Sequence, residues 1–493
     1  MIEIPHWLEK QYDLQPDSIA IEMEGDRSIT FKELRDYSRK LASGLLNRGI
    51  KSGDHVAFLS ANHLDYVLFI HAISYVGAVA VCLNIRLSAS ELAFQIEDSN
   101  SCSLVVDEQN KMLGEQSMDE SQADIDLLMV EQLTTSEEKI EVRETLRLDE
   151  YFTMMYTSGT TGKPKAVMHT YGNHWFSAIA SALNLGLTDK DKWLVCLPLF
   201  HVGGFSLLMK NVIYGMPIIL LDKFDAEVVN RKITHHQVSL VSVVTVMLQR
   251  LLKDKKQAYP STFRGALLGG GPVPAPLLRE AFESNISVFQ TYGMTETSSQ
   301  ISTLRPSDAF QKLGSAGKAL TPASLKIRSG GKPCAPNEIG EIHVKGPMVS
   351  SGYYRHSSHE NEYLATGDLG YVDEDGFLYV IDRVKDMLIS GGENVYPAEI
   401  ESVLLEVDGV QEAAVTGIEH PEWGEVPIAF VVTRNGYSVT EGQIQKYCKK
   451  RLAGFKVPVS IKFIEEIPRN ASNKIVRRKL HSLIEKGENR EHK

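Results

Sequence analysis

The chain has 493 residues, 43% of them apolar and 23% charged, with a formal net charge of −11. That length exceeds one ordinary hydrophobic core and calls for a large lobe plus at least one further domain. The acidic balance excludes a general nucleic-acid binder, and five scattered cysteines (Cys82, Cys102, Cys196, Cys334, Cys448) without a CxxC pair argue against structural zinc and fit reduced thiols in a cytoplasm.

The stretch Met1–Trp7 lacks the basic and apolar regions of a signal peptide. Phe31–Leu45 puts Leu34, Leu41 and Leu45 at helical spacing. Val56–Leu59 and Ser103–Val106 are short apolar runs suited to strands buried on both faces. Tyr66–Leu83 is eighteen residues without a formal charge, long enough on count alone to cross a membrane. His71, Ser74 and Gly77 interrupt it, so it reads as a buried helix over 66–75 and a buried strand over 78–83, and no membrane span is expected. Residues 107–148 are acidic and weakly periodic, and are expected to be variable surface. Pro217–Leu221 and Val238–Val244 repeat the strand pattern. Strands alternating with helices predict an α/β fold of mostly parallel, helix-covered sheets.

From about Gly330 the strands shorten. Gly340–Gly346 and Gly370–Val380, with Asp375-Gly376 as a hairpin turn, predict a small β-barrel-like region at the end of the large lobe. An α+β pattern follows, with a helix from Ala398 to Val407, Pro397 in its first turn and Gly409 beyond it, and strands over 410–414 and 429–432. The expected domains are 1–384 and 385–493. The second is neutral, with 16 basic and 16 acidic residues, yet 445–493 carry 14 basic and 5 acidic. Such a surface is either merely solvated or a landing site for a polyanionic co-substrate.

The segment with the most chemistry in it is Tyr156-Thr-Ser-Gly-Thr-Thr-Gly-Lys-Pro-Lys165. Its hydroxyls (Thr157, Ser158, Thr160, Thr161), glycines (Gly159, Gly162) and lysines (Lys163, Lys165) suit a loop that closes on a polyphosphate. A surface turn has a similar composition. A Walker A loop is disfavoured, because Thr157 stands where its first glycine belongs and no Ser or Thr follows Lys163.

This segment resembles the signature of the acyl-adenylate-forming superfamily, with Ala166 where that family usually has glycine. Further matches follow in the family's order. Gly269-Gly270-Gly271-Pro272 resembles the loop on which adenine lies. Tyr292-Gly293-Met-Thr295-Glu296 resembles the adenine and magnesium motif, in which Thr295 contacts phosphate and Glu296 holds Mg²⁺. Thr366-Gly-Asp368 with Asp382-Arg383 resembles the ribose-binding pair, Asp368 and Arg383 being its ligands. Lys385 falls at the family's hinge. Ser390-Gly391-Gly392-Glu-Asn-Val-Tyr-Pro397 resembles the loop along the pantetheine tunnel of coenzyme A. Pro468-Arg-Asn-Ala-Ser-Asn-Lys474 resembles the motif whose lysine meets the α-phosphate. Each string alone is also an ordinary turn or helix cap; their order carries the resemblance.

The resemblance implies ATP, Mg²⁺ and coenzyme A as co-substrates and cofactor, a small-molecule carboxylic acid as substrate, and a smaller mobile C-terminal domain. Lys474, Thr295, Glu296 and His201 are the implied catalytic residues. Leu197-Pro-Leu-Phe-His201 resembles the gate of an acyl pocket lined by His174, Phe205, Thr245, Ser298, Gln300 and Ser302. That lining mixes apolar and polar groups, which suits an aromatic acid with an extra carboxylate or keto group better than a plain fatty acid. Gly172-Asn-His174, Ser181–Gly186, Leu268–Pro272 and Gly293–Gln300 resemble the subfamily of bacterial o-succinylbenzoate–CoA ligases, which serve menaquinone biosynthesis. The oligomeric state, homo-oligomer included, stays open.

Overall fold

The computed structural model describes residues 2–134, 142–157, 164–271, 273–356, 362–390, 393–434, 436–470 and 475–488. Two compact units emerge. The first comprises 1–271, 279–325 and 344–364; the second comprises 272–278, 326–343 and 365–493.

The first unit holds two sheets. One has six strands in the order Lys165–Thr170, Tyr151–Thr157, Val79–Cys82, His55–Leu59, Ser103–Val106, Asp126–Met129. Its inner pairs are parallel, and the hairpin of Tyr151–Thr157 with Lys165–Thr170 adds an antiparallel edge. The other has nine strands. Its parallel middle runs through Val288–Tyr292, Gly265–Leu268, Leu240–Val243, Trp193–Val195, Ile218–Leu220 and Ile19–Glu22. The short apolar runs read as doubly buried strands are fully buried here: Val56–Leu59, Ser103–Val106 and Leu240–Val243 all lie inside.

Helix Phe31–Asn47 starts on a capping box, with Thr30 accepting from the Glu33 amide and the Glu33 carboxylate accepting from the Thr30 amide. Helix Leu64–Val76 is buried on every side from Tyr66 onward, which is why its sequence mimics a membrane span. At 13 residues it extends only about 20 Å. It stops at Gly77, whose φ of 81° is open to glycine at little cost, and strand Val79–Cys82 follows. No helix among the described residues is long and apolar enough to cross a membrane.

Residues 107–148 depart from the expectation of plain surface. They contain helix Lys111–Glu120 and strand Asp126–Met129, with Leu128 and Met129 buried at the sheet edge. A four-residue strand opened by an aspartate leaves too short an apolar run to read.

The second unit contains most of a five-stranded sheet ordered Lys332–Pro333, Ser324–Ser329, Gly340–Lys345, Leu364–Val372, Leu378–Arg383. The Asp375-Gly376 turn joins its last two strands, with Gly376 at φ 86° and the Asp373 carboxylate accepting from the amides of Asp375 and Phe377. A second sheet pairs Val410–His420 with Gly424–Thr433, adding Leu388–Ser390 and Glu393–Val395 on one side and Ser460–Phe463 on the other. Helix Pro397–Leu405 packs on it through Ile400 and Leu404. Residues 365–384 pack with the C-terminal stretch in the second unit.

Candidate active site

The hairpin that carries the phosphate segment is set by register: Lys165 pairs with Thr157, Ala166 with Tyr156 and Val167 with Met155. The Thr157 hydroxyl faces the Lys165 carbonyl at 3.5 Å. Ser158, Gly159, Thr160, Thr161, Gly162 and Lys163 lie outside the described residues. At the loop's root, the Tyr156 hydroxyl donates to Asp98 at 2.8 Å and to the Gln95 carbonyl at 3.1 Å. Ala166 is 2% exposed and belongs to the core cluster that includes Met154, Leu104 and Val106.

Strand Gly265–Leu268 delivers Gly269, Gly270 and Gly271 beside strand Val288–Tyr292. A methyl on Gly269 would come within 3.1 Å of the Thr291 side chain. After Tyr292 the chain folds sharply back on itself. A methyl on Gly293 would meet the Ser299 carbonyl oxygen at 1.6 Å, so no other residue fits. The turn Thr295–Thr297 follows, closed by the Thr297 hydroxyl against the Met294 amide and carbonyl. A ring nitrogen of His169, from the hairpin, donates to the Thr295 carbonyl at 2.7 Å. Burial pushes His169 down to about 4, which keeps the ring neutral, and the bond to the carbonyl places its proton on Nε2.

Glu296 is 7% exposed, and Tyr353 donates to its Oε1 at 2.8 Å. A buried carboxylate with one oxygen already held suits Mg²⁺, which takes one or two protein carboxylates and fills its shell with phosphate and water. No group of three or more His, Cys, Asp or Glu placed to hold a metal ion by themselves occurs among the described residues.

In the second unit Asp368 and Arg383 face each other across the hairpin, with Nε 2.9 Å from Oδ1. Asp382 points elsewhere: its carboxylate accepts from the amides of Arg383 and Ala398, tying the strand to the start of helix Pro397–Leu405. Burial raises the Asp382 carboxyl and nearby Arg477 opposes the rise. Lys385 is exposed in the turn 384–386. Gly391, Gly392 and Lys474 lie outside the described residues. The chain on either side of Lys474 is pinned, since Arg469 bridges Ile475 and the Val476 amide donates to Pro468.

The residues expected to line the acyl pocket fall at different depths. His201 caps helix Val202–Tyr214, and Thr245 opens helix Thr245–Asp254; both are half-buried. Phe205, Ser298 and Ser302 expose no surface, and His174 and Gln300 almost none. His174 packs on Phe152 and Phe205 and bonds Thr153, while the Ser302 hydroxyl donates to the Ala316 carbonyl. These five side chains lie below the surface, whereas His201 and Thr245 are partly open.

Three residues that the sequence reading passed over join the site. Asn62 pins the Leu197–His201 segment, donating to the Leu197 carbonyl and accepting from the Leu199 amide. Lys210 is 1% exposed, with its ammonium 4.5 Å from the Trp193 ring and 3.3 Å from Gln300 Oε1. Burial lowers it to about 7. Tyr353 holds Glu296 from 57 residues away. The sequence signals were faint: one lysine in an apolar helix, one asparagine and one tyrosine in loops.

The profile of the family described as AMP-binding enzyme matches residues 8–354, and that of the AMP-binding enzyme C-terminal domain matches 399–474. The chain belongs to the AMP-binding enzyme family. Within this family it is 51% identical over 484 residues to a 2-succinylbenzoate–CoA ligase of Oceanobacillus iheyensis, covering 97% of this chain and 98% of that one. An o-succinylbenzoate CoA synthetase from Bacillus subtilis, solved with its acyl-adenylate intermediate, superimposes with a TM-score of 0.92 at 45% identity, over 97% of this chain and 98% of that one. The same synthetase with ATP and a magnesium ion gives 0.91 at 45% identity, over 97% of this chain and 100% of that one.

Proposed function

We propose that this AMP-binding enzyme is a 2-succinylbenzoate–CoA ligase of menaquinone biosynthesis, working in the cytoplasm. It joins the acid to AMP with loss of pyrophosphate, then passes the acyl group to the thiol of coenzyme A with loss of AMP. The observation that carries the reading is its likeness, over nearly the full length, to a synthetase that holds the acyl-adenylate of this acid.

The chain's residues take these parts. Thr157 and Lys165, with Ser158 to Lys163 between them, cradle the phosphates, and Thr295 meets the α-phosphate. Gly269 to Gly271, Tyr292 and Gly293 receive adenine. Asp368 accepts from the ribose hydroxyls while Arg383 orients it. Glu296 holds Mg²⁺, which when bound neutralises phosphate charge. His201 gates the acyl pocket. Lys474 stabilises charge as the carboxylate attacks, and Gly391 and Gly392 line the path of the thiol. Lys385 is the pivot between the two half-reactions.

The substrate has two carboxylates, and only one is activated. Lys210, hydrogen-bonded to Gln300, supplies a countercharge for the other, because a buried ammonium with one hydrogen bond among the described residues is under-coordinated. The test is pyrophosphate release with ATP, coenzyme A and one acid at a time. 2-Succinylbenzoate should exceed benzoate and octanoate in kcat/KM by about 10³-fold or more, the scale of a lost buried ion pair. Equal rates with octanoate would overturn the substrate.

A further inference from the structure

We propose that Tyr353 is a positioning residue for this reaction, its hydroxyl orienting the metal-facing carboxylate of Glu296 while its ring supports Lys165 of the phosphate hairpin. The inference rests on the adenylate-forming reading above and adds a residue that no motif of that reading contains.

Tyr353 lies on residues 350–354, which run along the outer edge of strand Lys165–Thr170. Val167 and Tyr353 form an antiparallel bridge, the Tyr354 amide donates to the Ala166 carbonyl at 2.8 Å, and the Met168 amide donates to Gly352 at 3.2 Å. The Ser350 hydroxyl adds a bond to the Met168 carbonyl at 2.7 Å. The same stretch holds the other side of the site, because the Ser350 amide donates to the Glu296 carbonyl at 2.8 Å. One short segment is therefore stitched to the phosphate hairpin and to the carboxylate turn through backbone bonds.

Within that frame the tyrosine makes two contacts of different kinds. Its Oη donates to Glu296 Oε1 at 2.8 Å, and its ring centre lies 5.3 Å from Lys165 Nζ. A carboxylate turns easily about its last bond. A donor on Oε1 stops that turning and presents Oε2, which takes no hydrogen bond from the described residues, in one direction. The ring face attracts the ammonium through its quadrupole and limits where that long side chain reaches. Glu296 is a metal ligand and Lys165 a phosphate ligand in the reading above, so one side chain sets the distance between the two charges that a nucleotide–metal complex must meet.

Tyr353→Phe removes the first contact and keeps the second; Tyr353→Leu removes both. Nucleotide affinity is measured at equilibrium with ATP in excess EDTA and with ATP in Mg²⁺, and Mn²⁺ binding is followed by electron paramagnetic resonance. The Phe variant should bind metal-free ATP as the parent does and bind Mg·ATP and Mn²⁺ about tenfold more weakly, the scale of one hydrogen bond to a charged group. Its pyrophosphate-release rate should recover at high Mg²⁺. The Leu variant should also weaken metal-free ATP by about threefold, the scale of a half-buried cation–π contact. A Phe variant matching the parent in Mg·ATP and Mn²⁺ affinity, or losing metal-free ATP equally, overturns the role of Tyr353 alone. A parent protein whose ATP affinity ignores Mg²⁺ overturns the underlying reading as well.

Discussion

Lys210 carries its charge into the interior with two supports, the indole of Trp193 and the amide oxygen of Gln300. Its folded value of about 7 lies below that of an exposed lysine. Between the two values the unfolded chain binds the proton and the folded chain does not, so this group makes stability rise with pH there; below about pH 7 its cost is fully present. Lys210→Met should therefore raise Tm at pH 7 by about 2–4 °C, measured by calorimetry, with the gain shrinking toward pH 10. The same change should lower affinity for 2-succinylbenzoate by about 10²-fold or more. A variant that is no more stable, or that binds the acid normally, would remove Lys210 from the substrate argument. This residue was hidden in the sequence because a lysine on an apolar helix usually extends its charge to water, and nothing local says that Trp193 and Gln300 close over it.

At the scale of elements, the turn after strand Val288–Tyr292 concentrates the site. Gly293 lets the chain pass the Ser299 carbonyl, and that close passage sets Thr295 and Glu296 against the hairpin through His169. Gly293→Ala must shift this turn, and a displacement near 1 Å should cost ATP–pyrophosphate exchange about 10²-fold. Gly442→Ala, where an added methyl meets nothing, should leave exchange unchanged. Circular dichroism of both would separate misplacement from unfolding. Gly293 was legible as a member of the Tyr292–Glu296 motif, but its close passage by the Ser299 carbonyl was not, since that depends on how the chain folds back. Helices such as Phe31–Asn47 were legible from their own spacing. Tyr353 was not, since only the folded edge of the hairpin brings it to Glu296. Strand Asp126–Met129 was not, since its burial depends on pairing with Ser103–Val106.

At the scale of the whole chain, the two half-reactions offer a separable test. Lys474→Ala should slow pyrophosphate release by about 10²–10³-fold, the cost of a lost electrostatic contact to the reacting group. Thioester formation from supplied acyl-adenylate should stay within about threefold. Gly392→Leu should show the opposite pattern. Stopped-flow or quench assays of each half-reaction decide this, and equal loss in both would remove the division of labour between the two residues. The buried helix Leu64–Val76 has a consequence of another kind. Tyr66 and Phe69 belong to a core cluster that also includes Trp193, Phe205 and Leu240. During synthesis at about 5–20 residues per second, those later partners follow tens of seconds behind at the slow end of that range. Helix Phe31–Asn47 and Phe58 are already made and cover part of its surface, but the faces that await Trp193, Phe205 and Leu240 stay open throughout that interval, which makes the emerging chain a natural client for chaperones at the ribosome and ties the yield of folded enzyme to the pace of translation.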